Sequence, residues 1–333
     1  MSYQLYVGID VGAQTFSVAW TTNGLGTFPT LTLTQNLENI KKLKQKLLAS
    51  GLPPAEILVV MEATGTYWIK LATRLHEMSF VVSVINPRQS YNFAKALMQN
   101  AKTDPLDSQM LARLALLFHP EPWSPPPPIF EELQQRFTQR DDLLAVRQQL
   151  RNQKYGRSHR DRVLESVNRR ADEIISVLDK QIAQIDTEIR HLLIGESPWR
   201  KNAQLLLSIP GLSFLTVGWL LIATHNFAYT CDAEELAAFA GLVPYPRQSG
   251  TSLNGKRQIS YAGHQRLRTA LYMATLSAAQ HNPIIREFYM RLVSQGKPKK
   301  VARCAAARKL IHLAWAIVNK EQPFNPHYKM VNL

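Results

Sequence analysis

The chain is short of several things, and each shortage excludes a class of protein. It has two cysteines in 333 residues, Cys231 and Cys304, and neither sits in a zinc or redox spacing. A disulfide-stapled or zinc-built fold is therefore excluded, and the thiols read as reduced core residues of a cytoplasmic protein. No apolar run reaches the roughly 18–20 residues of a membrane span, the nearest being LTVGWLLIA. The opening MSYQLYVGID has no basic stretch leading into an apolar one, so it does not read as a signal peptide. Acidic residues are scarce in one region only. Residues 1–124 hold 10 Lys and Arg against 8 Asp and Glu, residues 125–200 hold 13 against 12, and residues 201–333 hold 16 against 5. The net charge of +14 is thus gathered in the last part of the chain, which points to a polyanionic partner there.

What is present divides into three. Residues 1–124 alternate strands and helices. YQLYVGIDV, QTFSVAWTT and TFPTLTLT read as three strands in a meander. NLENIKKLKQKLLAS then shows helical periodicity, with Leu37, Ile40, Leu43, Leu47 and Leu48 on one face and Asn36 as cap. EILVVME is a continuous apolar run, as in a strand covered on both faces. TGTYWIKLATRLHEM predicts a helix, FVVSVIN a strand and DPLDSQMLARLALLF a helix. The order β-β-β-α-β-α-β-α is that of a ribonuclease-H-like fold. WSPPPP then marks a boundary.

Residues 125–198 are helical and polar. Ala171, Ile175, Leu178, Ile182, Ile185, Ile189 and Leu192 are spaced 4-3-4-3-4-3, a coiled-coil seam. Leu133, Phe137, Leu144 and Leu150 are candidates for an antiparallel partner, turning near Gly156. The basic cluster RNQKYGRSHRDR at that turn reads equally as a solvated tip or as a nucleic-acid or partner contact. Residues 199–333 are helical and basic. LLLSIPGLSFLTVGWLLIAT is helix, Pro-Gly turn, helix, the pattern of a helix-hairpin-helix element that grips a nucleic-acid backbone through turn amides.

Two places carry candidate chemistry. Asp10 lies within the first strand, Glu62 ends EILVVME, and Asp104 and Asp107 are spaced i, i+3 at a helix start. Each has a plain structural role open to it: Asp104, for one, could cap its helix beside Pro105. In a ribonuclease-H-like sheet the four would converge. Clustered carboxylates repel unless a cation compensates, and hard oxygen ligands select Mg²⁺ or Mn²⁺. The second place is GLVPYPRQSGTSLNGKRQISYAGHQRLR, read as a Gly-rich, nearly carboxylate-free loop. Ser249 stands there among Arg247, Lys256, Arg257, Arg266 and Arg268, cations suited to a phosphate. Lys299 and Lys300 extend the basic set. A serine needs activation by a base or metal, and only His264 lies near in sequence.

Taken in order, GIDVGAQTFSV, MEATGTYW, INPRQSYNFAKALMQNAKTDPLDSQMLA, SIPGLSFLTVGWLL, FAGLVPYPRQSGTSLNGKRQIS and AGHQRLRTALYMATLSA resemble the DEDD-type insertion-sequence transposases of family one hundred and ten, and the related Piv/MooV DNA invertases. The resemblance runs over nearly the whole chain. It implies a RuvC-like domain with Asp10, Glu62, Asp104 and Asp107 as the acidic, metal-holding set. It implies a nucleophilic serine at Ser249; Ser252 lies close enough in sequence to be the fallback. It also implies a structured bridge RNA that pairs with target and donor DNA, and dimers that assemble into tetramers, the serine of one subunit working with the carboxylates of another. Many relatives carry Gly-Asn where this chain has Gly263-His264, at a turn expected to face DNA or RNA.

The expected function is an RNA-guided DNA recombinase, cytoplasmic and nucleoid-associated when active, with no membrane partner. One rival is a RuvC-like junction endonuclease that uses metal-activated water and no serine. Another is an actin-like ATPase, because GIDVGAQTFSVAW also resembles a phosphate-binding hairpin; that fold needs a second DxG-type loop, which the sequence lacks.

Overall fold

A computed structural model describes residues 3–26, 28–98, 103–195, 197–228, 232–249, 253–259 and 263–326, with 245–249 and 253–258 in backbone only. The chain forms two compact units, Met1–Pro125 and Pro126–Leu333.

The first unit is a mixed α/β layer structure. Its strands are β1 (Leu5–Val11), β2 (Thr15–Thr21), β3 (Thr30–Thr34), β4 (Ile57–Glu62) and β5 (Val81–Ile85), and its helices are α1 (Leu37–Leu48), α2 (Tyr67–Glu77), α3 (Pro87–Ala96) and α4 (Asp104–Phe118). The sheet order is β3-β2-β1-β4-β5. β1 pairs antiparallel with β2, and β2 with β3, while β1–β4 and β4–β5 are parallel. The two parallel pairs leave β4 central, and Ile57–Met61 are fully buried, which is why that run is apolar throughout. β3 lies at the edge, and its TLTLT alternates between exposed and half-buried.

Strand alternation sorts the side chains onto two faces. Leu5, Val7, Ile9, Ile57, Val59 and Met61 pack with α1 and α2 through Ile40, Leu43, Leu47, Leu71 and Leu75. Tyr6, Leu58 and Val60 pack on the other face with Met110, Leu111 and Leu114 of α4. Gly8 belongs to that second face, and α4 crosses directly over it: a Cβ there would collide with the backbone of Ser108 and Ala112. The small α3 escaped the sequence reading, which ran from β5 straight to α4. Its start is a capping box, with Asn86 accepting from the Arg88 backbone and Gln89 reaching back to the Asn86 amide.

The second unit is helical, with one ribbon. It begins with a long hairpin, α5 (Pro128–Ser158) and α6 (Glu165–Ile194). The chain reverses over residues 159–164, and Gly156 lies inside α5 rather than at the turn. Arg140–Asp186, Arg147–Asp179 and Lys154–Asp172 link the two helices at 2.5, 2.5 and 2.6 Å. These pairs advance seven residues at a time along α5 and retreat seven at a time along α6, the signature of an antiparallel seam. Beyond the hairpin come α7 (Arg200–Leu207), α8 (Phe214–Ala223), α9 (Ala233–Phe239), β6 (Pro244–Ser249), β7 (Leu253–Ile259), α10 (Gln265–His281), α11 (Pro283–Ser294) and α12 (Lys299–Lys320). One core joins the helices to the base of the hairpin. Leu133 and Phe137 of α5 and Ile185, Ile189 and Leu193 of α6 pack with Leu220, Leu271, Leu310 and Ile311. Gly218 makes room for Phe137: a Cβ on Gly218 would stand 2.5 Å from its ring. The Pro-Gly turn between α7 and α8 is tied inward, since buried Asn282 donates to the Pro210 carbonyl at 3.3 Å while capping α11.

Candidate functional site

Asp10 and Glu62 follow from the sheet register. Ile9 pairs with Met61 across β1 and β4, so the next residue on each strand is a carboxylate, and alternation sets both on the α4 face. Both are half-buried, at the carboxyl ends of neighbouring parallel strands. The contact of α4 with Gly8 runs through Ser108, the residue after Asp107. Asp107 is half-buried and Asp104 exposed, both in the first turn of α4, where carboxylates favour the positive end of the helix dipole. Thr103 begins that helix without a side-chain cap bond.

Glu62 is held from two sides. Thr64 Oγ1 donates to one carboxylate oxygen, and Ser90 Oγ donates to the other at 2.5 Å. Ser90 is 1% exposed, on α3. Sequence reasoning missed both hydroxyls. Their signal was available only as a Thr two residues past Glu62 and a Ser one turn into a capped helix.

Among the described residues no three Asp, Glu, His or Cys side chains stand close enough together to hold a metal ion by themselves. The donor set still suits a hard divalent cation. Such ions keep several waters and are often bound by one or two carboxylates plus substrate phosphate oxygens, and Asp10 and Glu62 each follow the last paired residues of neighbouring strands.

In the second unit the stretch around Ser249 is a ribbon, not a loop. β6 and β7 pair antiparallel, with Ser249 opposite Leu253 and an irregularity between Tyr245 and Arg247. Arg247, Lys256 and Arg257 also lie on this ribbon; Ser252 falls outside the described residues. The chain is bonded to α9 on either side of the ribbon. The Leu242 amide donates to the Ala237 carbonyl at 2.9 Å, and the His264 amide donates to the Phe239 carbonyl at 2.8 Å.

His264, at the turn expected to face nucleic acid, does not stand free of the protein. It is half-buried at the start of α10, where its Nδ1 accepts from the Leu267 amide at 3.1 Å. Its ring lies 6.0 Å from Trp219 and 5.7 Å from Phe239. An imidazole here does what an asparagine cap does, provided Nδ1 keeps its lone pair. Burial pushes the imidazole below its usual pKa; its own backbone hydrogen bond opposes that push and Arg266 adds to it.

Arg266 pairs with Asp141 of α5. Burial raises the Asp141 carboxyl, against the pull of Arg266 and Arg140. Arg268 lies on the same helix start, half-buried. Lys299 and Lys300 are exposed in the first turn of α12. Cations at that end of a helix oppose its dipole, a local strain that an anionic partner relieves. No described helix is long and apolar enough to cross a membrane.

A mixed sheet with acidic strand ends, joined in one chain to a basic helical unit, is compatible with a DNA-processing enzyme. The particular family follows from comparison. Residues 7–155 match the transposase family DEDD_Tnp_IS110, and residues 203–290 match the family described as Transposase IS116/IS110/IS902. The chain is 30% identical over 321 residues to the pilin gene-inverting protein of Moraxella bovis, covering 96% of this chain and 97% of that one. The pilin gene-inverting protein of Moraxella lacunata matches to the same extent, again 30% over 321 residues. An uncharacterized 42 kDa protein of insertion element IS900 from Mycobacterium paratuberculosis is 33% identical over 161 residues, 47% of this chain and 40% of that one. The chain belongs to the IS110-type family of DEDD transposases and DNA invertases, and it is a DNA-recombination enzyme.

Proposed function

We propose that this enzyme is an RNA-guided recombinase that cuts and rejoins target and donor double-stranded DNA through a covalent link to Ser249. The observation that carries the proposal is the β1–β4 register, which sets Asp10 and Glu62 side by side on the face where α4 begins. The β3-β2-β1-β4-β5 order supports reading the first unit as a ribonuclease-H-like, RuvC-like domain. In this reading residues 1–124 are that domain, 125–198 a coiled-coil linker that pairs subunits into dimers and tetramers, and 199–333 the transposase domain with a helix-hairpin-helix-like element.

Asp10, Glu62, Asp104 and Asp107 would hold Mg²⁺ or Mn²⁺, whose charge, when bound, neutralises the phosphate and the leaving oxygen. Ser249 gives up its hydroxyl proton and its Oγ forms an ester bond to phosphorus. One phosphodiester P–O bond breaks as that bond forms and the departing DNA oxygen takes up a proton in place of the one serine lost, so one ester replaces another and the link keeps the energy for rejoining. Arg247, Lys256, Arg257, Arg266, Arg268, Lys299 and Lys300 supply contacts to the nucleic-acid backbone, Arg266 only after exchanging Asp141 for a phosphate. Base pairing by a structured bridge RNA supplies the choice of sequence.

The test is to incubate protein, RNA and DNA with Mg²⁺ and look for DNA that stays attached to denatured protein. Wild type should give the adduct and joined product, and Ser249→Ala neither. An adduct that survives Ser249→Ala sinks the serine assignment, and Ser249→Ala with Ser252→Ala together then tests the fallback. Free cut ends with no adduct from wild type would favour the water-using nuclease. Sequencing the RNA that copurifies with the protein tests the guide: a pool without a structured, DNA-complementary species counts against it.

A further inference from the structure

Each of the two segments that hold Glu62 carries an exposed aromatic ring close by. Past Thr64, the turn opens α2 at Tyr67, which is 51% exposed; next to Ser90 on α3 stands Tyr91, 58% exposed. Each tyrosine has an exposed lysine on the following turn, Lys70 after Tyr67 and Lys95 after Tyr91. The Lys95 ammonium lies 4.7 Å from the centre of the Tyr91 ring. Both helix starts are pinned. The Gln35 side-chain amide donates to the Gly12 carbonyl at 2.7 Å and reaches the Tyr67 carbonyl at 3.4 Å, tying α2 to the end of β1, two residues beyond Asp10. The Asn86 capping box fixes α3. No acidic residue occurs in YWIKLATR of α2 or anywhere in α3.

One exposed tyrosine on a surface is ordinary. Two exposed tyrosines, each with an exposed lysine on the following turn, stand on anchored helix starts next to the two residues that bond one carboxylate. Ring faces and ammonium groups complement what an unpaired nucleic-acid strand displays, namely base faces and phosphates. A duplex keeps its base faces inside the stack and offers such rings only its edges and backbone.

We propose that Tyr67 and Tyr91, with Lys70 and Lys95, form a seat for an unpaired DNA strand across the Glu62 edge, with bases stacked on either side of the phosphate. The inference rests on the reading of that edge as the cutting site and narrows its substrate to DNA opened at the cut.

The experiment uses the full-length wild-type protein in chelator, which blocks cutting. Single strands carrying 5-iodouracil at successive positions are irradiated with the protein, alone or annealed to their complements. Crosslinked peptides are then identified by mass spectrometry. The unpaired strand should link to Tyr67 or Tyr91, and annealing should abolish those links. A Tyr67→Ala, Tyr91→Ala double variant should lose crosslinking within the first unit by about tenfold or more, and a double Phe variant should keep it. Equal linking from duplex, links confined to residues 126–333, or an unchanged double Ala variant would each overturn the seat. A separate assay of Asp10→Asn keeps the two ideas apart. If that variant still cuts and joins DNA, the carboxylate reading falls, whereas the crosslinks report only on the seat.

Discussion

In the first unit, Asp10 and Glu62 lie at the carboxyl ends of two strands that share five residue pairs and are packed by helices on both faces. In the second, Ser249 ends one strand of a two-stranded ribbon. A central strand inherits its position from the whole sheet. A ribbon of two strands is marginal alone and takes its position from whatever holds its ends. Here that is α9, through Leu242 and His264. The carboxylates are thus fixed by a core and the serine-bearing ribbon by a clasp, so the two should fail in different ways.

The largest expected effects come from the cores. Phe137→Ala empties the space that Gly218 leaves for the ring and should destabilise the second unit by about 4 kcal/mol in urea unfolding. Gly8→Ala drives a methyl into the α4 backbone and should destabilise the first unit by about 3 kcal/mol. If Gly8→Ala were neutral, α4 would not be held against β1 as described.

Smaller effects probe the holding groups. Ser90→Ala removes a buried donor to the Glu62 carboxylate and should lower stability by about 1–2 kcal/mol. His264→Ala should remove about 1 kcal/mol at pH 8, while His264→Asn should keep the cap. The pH dependence has a definite sign. The folded imidazole sits below its usual 6.5, so the unfolded chain binds the proton more readily. Stability is therefore full above that range and is lost as pH falls through it toward the folded value. Unfolding curves between pH 8 and pH 5 should show the slope in wild type and a flatter line in His264→Asn. The smallest effect belongs to the exposed Lys154–Asp172 pair, where Lys154→Ala should change stability by less than about 0.5 kcal/mol.

Much of the first unit is legible in the chain because burial writes itself into the pattern. ILVVM is apolar throughout and sits inside the sheet, and TLTLT alternates and sits at the edge. Along α6 the heptad marks the inner face only in part: Ala171, Ile182, Ile185 and Ile189 are buried, while Ile175, Leu178 and Leu192 are half-buried. PRQSYNFAKA was missed because it buries little, and only Asn86 and Gln89 announce it. The ribbon was read as a loop because PYPRQS and LNGKRQI hold few branched or aromatic residues, and their pairing depends on contacts beyond either strand. For the candidate site, the sequence shows which strands carry Asp10 and Glu62. That the two fall on one face needs the register, which no local pattern states.

The ion pairs of the helical hairpin have a bearing on how this chain can change length. Arg140, Arg147 and Lys154 meet Asp186, Asp179 and Asp172 at matched heptad steps. A single inserted residue in either helix would turn every later charge away from its mate. Seven residues added or removed in both helices together would leave the ladder intact and simply move the tip outward or inward. The hairpin is in that sense a ruler graduated in heptads, and its reach can be altered only in paired increments.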